Sequence, residues 1–156
     1  MTGLVDLTAE RSDDLARLHA QAFPSGEAWD APAFKSLLTQ VSTRAIGVLR
    51  ETQLAAFILV QYIRPEAEIL TLATSPTVQR RGLAQSLVQA LETELRSEGL
   101  EKWLLDVAAD NHRAIAFYQK IGFQEDGRRP GYYKRLEGTR ADAILMSKHV
   151  SRQETR

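Results

Sequence analysis

A short basic segment containing one glycine comes directly before a leucine-striped stretch of the chain. Its residues are Gln79-Arg80-Arg81-Gly82-Leu83-Ala84. The first backbone N–H groups of a helix have no acceptor within the helix, and together with the helix dipole they attract anions such as phosphate. Gly82 permits close approach of a ligand to the backbone, and Arg80 and Arg81 add positive charge. The segment therefore predicts a phosphate site at a helix start.

The glycine pattern narrows the kind of phosphate compound that this segment fits. It has one glycine where dinucleotide-binding turns have three, and it lacks the lysine and serine or threonine pair of ATP-binding P-loops. Nicotinamide and ATP sites are therefore disfavoured. Taken alone, Arg80 and Arg81 also fit ordinary exposed residues beside a turn glycine.

Two residues further along the chain are candidates for proton transfer. Asp106 follows an otherwise apolar run, where a carboxylate is expected to face a cleft, to cap the next turn or to pair with an arginine. Tyr118 is either a proton donor or a core residue whose hydroxyl reaches water. Asn111 begins the helix that contains Tyr118, and the two lie about 10 Å apart along its axis, so one helix can contact two parts of an extended ligand.

The composition excludes several kinds of chemistry. The chain of 156 residues has no cysteine, which excludes disulfides, zinc–thiolate sites and a cysteine nucleophile, and which suits a cytoplasmic protein. Twenty basic residues balance twenty acidic ones, so we expect neither nucleic acid nor a membrane as a partner. His19, His112 and His149 lack metal-ligand spacing, and we predict no metal.

The helices and strands that must position these residues follow from apolar periodicity and capping signals. The predicted order is a strand; a helix from a capping box at Thr8 to Pro24; a helix from its N-cap Asp30 to near Gln40; strands at 44–50, 54–63 and 68–74; the main helix, with Leu83, Leu87, Leu91 and Leu95 on one face and Gly99 at its end; a strand at 102–107; a helix from Asn111 to Lys120; and strands at 123–134 and 142–148. This order predicts an α/β fold with a mixed central sheet of about six to seven strands and about four helices. We expect one domain over residues 1–150 and a flexible tail at 151–156.

Several of these motifs together resemble the GNAT superfamily of N-acetyltransferases. Residues 79–84 match its acetyl-CoA loop, Q/R-x-x-G-x-G/A, and the preceding strand Leu70-Thr71-Leu72-Ala73-Thr74 and the later Asn111 stand in the family's order. The stretch Ala116-Phe117-Tyr118-Gln119-Lys120-Ile121-Gly122-Phe123 is similar to the family's signature of a tyrosine followed by Gly-Phe. The resemblance covers roughly residues 66–123 and implies the GNAT fold.

Three further stretches resemble the bacterial ribosomal-protein alanine N-acetyltransferase branch of this family. They are Phe23-Pro24 with Trp29-Asp30-Ala31-Pro32-Ala33-Phe34, similar to F-P-W-[ST]-x-x-x-F; residues 103–111, similar to W-L-E-V-x-x-x-N; and residues 128–133 with 142–146, similar to R-x-x-Y-Y and D-A-x-x-M. The chain departs from the branch at two places. Asp106 stands where the branch has glutamate, and Trp29 comes five positions after Pro24.

The family resemblance implies a cosubstrate and a set of site residues. Backbone groups of Leu72, Ala73 and Thr74 would hold the thioester and pantetheine arm of acetyl-CoA. Asn111 would contact that arm further along, and the backbone amides from Arg80 to Gln85 would bind the pyrophosphate. Tyr118 would protonate the departing thiolate, and we hypothesise that Asp106 deprotonates the acceptor amine directly or through water. Trp29 and Tyr132 are candidates for the acceptor site, although aromatic residues there also fit simple packing.

We therefore expect an acetyl-CoA-dependent N-acetyltransferase that modifies a protein N-terminal amine, such as that of a ribosomal protein, by direct attack in a ternary complex. Two alternatives stay open from the sequence. One is acetylation of a small-molecule amine, which predicts a closed pocket near Trp29 and Tyr132 where a peptide acceptor predicts an open groove. The other is a catalytically weak module that binds acetyl-CoA as a sensor or partner subunit.

Overall fold

The computed structural model describes residues 2–23, 28–78, 82–135 and 137–151. Within them the chain forms seven strands and four α-helices, with short 3₁₀ turns at Ala9–Arg11 and Pro76–Val78. The elements are β1 (Thr2–Asp6), α1 (Ser12–Ala22), α2 (Ala31–Leu38), β2 (Thr43–Arg50), β3 (Gln53–Ile63), β4 (Glu66–Thr74), α3 (Leu83–Arg96), β5 (Lys102–Ala108), α4 (His112–Lys120), β6 (Gln124–Lys134) and β7 (Arg140–His149). The predicted element order is confirmed.

The strands form one mixed sheet in the order β1-β2-β3-β4-β5-β7-β6. All neighbouring pairs are antiparallel except β4 and β5, which run parallel. Parallel neighbours need a long crossover, and α3 provides it. The mixed sheet predicted from the element order is therefore confirmed.

Helices cover both faces of the sheet, and β3 shows this most directly. Ile58 and Val60 pack with the leucine stripe of α3 and with α4, whereas Phe57 and Leu59 pack with α1 and α2. Alternate residues of a strand point to opposite faces, so a strand that is apolar throughout must be covered on both sides. The protein therefore has two core layers separated by a single sheet.

The start of α1 differs from the prediction. Thr8 precedes the 3₁₀ turn and makes no side-chain capping bond, and the α-helix begins at Ser12, so the capping box predicted at Thr8 is wrong. The helix ends at Ala22; Pro24, its predicted stop, lies outside the described residues. The second helix does begin after the N-cap Asp30, whose carboxylate accepts from the Ala33 N–H at 3.0 Å.

The parallel pair β4–β5 opens into a gap at its carboxyl end. Pairing begins at Glu66 with Lys102 and stops at Ile69 with Leu105, although β4 continues to Thr74 and β5 to Ala108. The register of β4 against β3 also shifts there, because Val60 pairs with Ile69 while Leu59 pairs with Thr71. Leu70 is the extra residue of this bulge, and a bulge bends its strand. The bend and the lost pairing leave one edge of β4 uncovered.

Candidate active site

Two cavities adjoin at the gap between β4 and β5. The first, the α3 cavity, has a volume of about 580 Å³ and lies against the start of α3; the second, the α1 cavity, has about 330 Å³ and lies towards α1 and β6. Residues that line both are Phe23, Leu72, Asn111, Ala114 and Tyr118. The two cavities therefore meet along these residues, which form their shared wall.

The α3 cavity brings together the predicted cofactor-binding residues. Those that line it are Leu72, Ala73, Thr74, Gly82, Leu83, Ala84, Gln85, Asn111 and Tyr118. The other three, Gln79, Arg80 and Arg81, lie outside the described residues. Arg113 and Lys120 add positive charge to the lining.

Gly82 begins α3 in a conformation that favours glycine. Its φ of 72° is left-handed, where a side chain is strained, although a Cβ built there would meet nothing within 4 Å. The Gly82 carbonyl accepts the first bond of the helix from the Ser86 N–H at 3.0 Å. The N–H groups of residues 83–85, which come before Ser86 in α3, have no acceptor within the helix. The first turn of α3 holds no acidic residue, so this end of the helix favours an anion.

Asn111 and Tyr118 reach the shared wall from one helix. The Asn111 side chain caps α4 by accepting from the Ala114 N–H at 3.2 Å. The ring of Tyr118 packs edge-on against Phe117 and Phe123, with ring centroids 5.3 and 5.4 Å away. Burial, with a smaller effect of Tyr133, raises the pKa of Tyr118 above its ordinary value. The phenol is therefore held in its protonated form.

Asp106 lines the α1 cavity from β5, one residue beyond the last β4–β5 pair. Its neighbours Leu105 and Val107 point into the α3-side core, so the carboxylate lies on the opposite face of the sheet. Glu68 shares that face on β4. Burial and the charge of Asp106 raise the pKa of Glu68, and Arg129 opposes the shift. Asp106 thus faces a cleft, which is one of the three arrangements expected for it from the sequence.

His19 and Thr71 are site residues that the sequence analysis did not identify. His19 is 2% exposed, and its Nε2 lies 2.9 Å from the Thr71 Oγ1, while its Nδ1 accepts from the Trp29 N–H at 3.0 Å. The ring stacks on Trp29 at 5.2 Å, and burial lowers the pKa of His19 to about 4. The signal in the sequence that points to His19 is its place on the apolar stripe of α1, beside Leu15 and Leu18.

Of the two aromatic residues predicted for the acceptor site, one lines a cavity and the other does not. Trp29 lines the α1 cavity. Tyr132 is 50% exposed, packs beside Arg129 at 5.3 Å and does not line either cavity, whereas Tyr133 lines the α1 cavity. Arg135 also lines the α1 cavity, and its guanidinium pairs with Asp110 in the turn after β5, with Nε 3.3 Å from Oδ2. A role for Tyr132 in binding the acceptor stays a prediction.

The described part of the chain offers neither a metal-ligand cluster nor a membrane-spanning helix. Within those residues no group of three or more His, Cys, Asp or Glu side chains is arranged to hold a metal ion. No helix among them is long and apolar enough to cross a membrane.

Comparison with known proteins identifies the family. The Acetyltransferase (GNAT) family matches residues 12–123. The [ribosomal protein bS18]-alanine N-acetyltransferase of Escherichia coli (strain K12) is 38% identical over 99 residues, which make up 64% of this chain and 66% of that protein, just under two thirds of its length.

Solved structures give the same fold. The crystal structure of the Escherichia coli ribosomal-protein-S18-alanine N-acetyltransferase matches with a TM-score of 0.88 and 28% identity, covering 100% of this chain and 98% of that one. The PaiA N-acetyltransferase from Thermoplasma acidophilum, solved in complex with coenzyme A, shares the fold with a TM-score of 0.78 at 15% identity, covering 96% and 99% of the two chains. The chain belongs to the GNAT family of acetyltransferases.

Proposed function

We propose that this chain transfers the acetyl group of acetyl-CoA to the α-amino group of a protein N-terminus by direct attack in a ternary complex. The observation that carries the proposal is the junction of the two cavities at Leu72, Asn111 and Tyr118. A cosubstrate in the α3 cavity and an amine in the α1 cavity meet there. The sequence contains no cysteine to carry the acyl group, so direct attack by the amine is the simplest route.

The α3 cavity suits acetyl-CoA in charge and in hydrogen bonding. The start of α3 offers free N–H groups for the pyrophosphate, and we assign this role to the amides of residues 80–85. The uncovered edge of β4 offers backbone groups to an amide-containing arm, so we assign Leu72, Ala73 and Thr74 to the thioester and pantetheine. Asn111 lies beside the same arm.

The reaction requires a base, an acyl donor and a group that stabilises the leaving thiolate. Acetyl-CoA supplies the acyl group: its C–S bond breaks as the new C–N bond forms, and CoA leaves as a thiolate. Asp106 takes a proton from the amine, directly or through water. Tyr118, kept protonated by burial, passes its hydroxyl proton to the thiolate sulfur. The proton that Asp106 took from the amine then returns to the phenolate through water, so both side chains regain their starting forms. The products are an N-acetylated chain and CoA.

The first acceptor to test is the N-terminal alanine of a ribosomal protein. The Escherichia coli relative is named for alanine acetylation of ribosomal protein bS18. Such an acceptor would place the reaction in the cytoplasm. The replacement of glutamate by Asp106 and the spacing between Pro24 and Trp29 alter the acceptor side, so the preferred N-terminus need not be the same.

Isotope-labelled acetyl-CoA and a library of peptides with every N-terminal residue test the proposal by mass spectrometry. We expect label on the α-amine of a subset of peptides and none on internal lysines. Label only on free amino acids or polyamines would replace the peptide acceptor with a small amine. Binding of acetyl-CoA without transfer to any amine would make the chain a sensor or partner module.

A further inference from the structure

The hydroxyl of Thr71 lies against the His19 ring at the lining of the α1 cavity. Thr71 follows the bulge residue Leu70, just past the last β4–β5 pair, where the strands part. It is 7% exposed and lines the same cavity as Asp106. Its Oγ1 lies 2.9 Å from the His19 Nε2.

The contacts of His19 determine which of these two atoms is the donor. The Nδ1 of His19 accepts from the Trp29 N–H at 3.0 Å, so the proton of a neutral imidazole must be on Nε2. Burial lowers the pKa of His19 to about 4, which keeps the ring neutral near pH 7. Nε2–H therefore donates to the Thr71 Oγ1, and the hydroxyl accepts.

This arrangement leaves the hydroxyl hydrogen of Thr71 for another partner. Among the described residues, His19 is the single hydrogen-bond partner of its side chain. A buried donor without an acceptor costs free energy, so an acceptor supplied from the cavity is favoured. His19 thus acts as a positioning residue, because it turns Thr71 into a fixed donor.

We propose that Thr71 donates this hydrogen bond to the carbonyl oxygen of the acceptor's first residue, and thereby selects amines that carry a neighbouring carbonyl. The inference rests on the proposed transfer to a protein N-terminus. In a peptide, that oxygen lies about 3 Å from the α-amine nitrogen. An amine held beside Asp106 therefore presents its carbonyl within the α1 cavity, whose lining includes Thr71. A polyamine has no such oxygen, and a site built for a hydrogen bond rejects a ligand that lacks it.

The test compares two acceptors and three forms of the full chain. The acceptors are the best peptide from the labelled acetylation screen and its analogue with the first amide replaced by a trans alkene, which keeps the shape and removes the oxygen. The forms are the native chain, Thr71→Val, which removes the hydroxyl at nearly constant shape, and Thr71→Ser, which restores it. Rates of acetylation, calorimetric binding of the peptide to the CoA-bound protein and melting temperatures are measured for each.

We expect Thr71→Val to lower kcat/KM for the peptide about fivefold to tenfold, to weaken peptide binding by a similar factor, and to leave the rate with the alkene unchanged. Thr71→Ser should recover most of the loss. Equal losses for both acceptors would reduce Thr71 to a structural residue and overturn the inference, and so would no loss for either. A native chain that acetylates amines but no peptide would overturn the proposed function and this inference together. The outcomes above overturn the role of Thr71 alone, because in them the native chain still acetylates the peptide.

Discussion

At the scale of single residues, the two proton-transfer candidates approach the junction from different faces of the sheet. Tyr118 packs within the core on the α3 side, while Asp106 points to the α1 side. The gap between β4 and β5 is what lets both reach one continuous space, since an unbroken sheet would separate them. The environments also differ, because the phenol is buried among aromatic rings and the carboxylate lies at the cavity surface.

Replacing Asp106 by asparagine tests its role as a base. We expect kcat/KM to fall about tenfold to a hundredfold near pH 7, because the isosteric amide cannot take a proton. The deficit should shrink above pH 8, where an α-amine with a pKa of about 8 is already neutral. Steady-state rates from pH 6 to pH 9.5 measure this. Asp13→Asn, at an exposed position of α1, is the matched control, and a constant deficit across pH would remove Asp106 as the base.

Replacing Tyr118 by phenylalanine tests the proton donor. We expect kcat to drop about tenfold to a hundredfold while acetyl-CoA affinity changes less than about twofold, since the ring packing is kept. In the native chain the raised pKa of Tyr118 predicts no loss of rate from its ionisation up to about pH 10. Stopped-flow rates and calorimetry provide the two readouts. Tyr62→Phe, which removes a hydroxyl bonded to the Glu98 carbonyl away from both cavities, should leave kcat unchanged; an unaltered kcat in Tyr118→Phe would exclude the assigned role.

At the scale of elements, Gly82 at the start of α3 has a left-handed backbone conformation and also adjoins the proposed pyrophosphate site. Its contribution to stability can be measured apart from its contribution to acetyl-CoA binding. Gly82→Ala should cost about 1 kcal/mol of stability because of its left-handed φ and should weaken acetyl-CoA binding about tenfold as the helix start shifts. Gly138 is also left-handed, at φ 84°, with open space around it, and it does not line the α3 cavity. Gly138→Ala should therefore lose similar stability and keep its affinity. Equal affinities in the two variants, by calorimetry, would argue against the assigned pyrophosphate site.

His19, whose bond to Thr71 joins α1 to β4, makes stability depend on pH because its ring is buried. The folded chain disfavours protonated His19, so the unfolded chain binds the proton at higher pH, and stability is lost as pH falls from about 6.5 towards about 4. The loss between pH 7.5 and pH 5 should be about 2 kcal/mol for this residue. Urea unfolding at both values measures it. His19→Gln should lack this part of the loss, whereas the exposed His112→Gln should retain it; the same pH dependence in His19→Gln would mean that the ring titrates normally.

Apart from the capping box at Thr8, local signals predicted the elements well, and long-range register explains the site contacts that they missed. The caps at Asp30 and Asn111 and the glycine at position 82 act within a few residues, so the sequence is sufficient to locate them. The His19–Thr71 contact joins residues 52 positions apart and depends on a bulge that no local pattern encodes. In the same way, irregular pairing of β6 between Arg129 and Tyr133 accompanies the placement of Tyr133, and not Tyr132, at the α1 cavity.

At the scale of the whole molecule, one sheet carries two core layers and both cavities. Strand β3 is buried on both faces, so the packing of α1 and α2 on one side and of α3 and α4 on the other rests on alternate residues of the same strand. Separate unfolding of either layer would expose one face of this apolar strand to water. This shared strand supports the proposal that residues 1–150 form a single domain.

The two tryptophans of the chain allow that proposal to be tested layer by layer. Trp29 packs with the α1 and α2 layer, and Trp103 is buried in the α3 and α4 layer. In Trp29→Phe the remaining Trp103 reports on the α3 and α4 layer alone. In Trp103→Phe the remaining Trp29 reports on the α1 and α2 layer alone. Within each variant, we expect urea unfolding followed by fluorescence to coincide with unfolding followed by circular dichroism, because a single domain unfolds in one step.

Acetyl-CoA at about 100 times its Kd should stabilise both variants by about 2.7 kcal/mol, since ligand binding at the start of α3 is linked to the folding of the whole unit. Fluorescence and dichroism midpoints that separate in either variant, or stabilisation confined to the Trp103 signal, would show that the layers unfold independently.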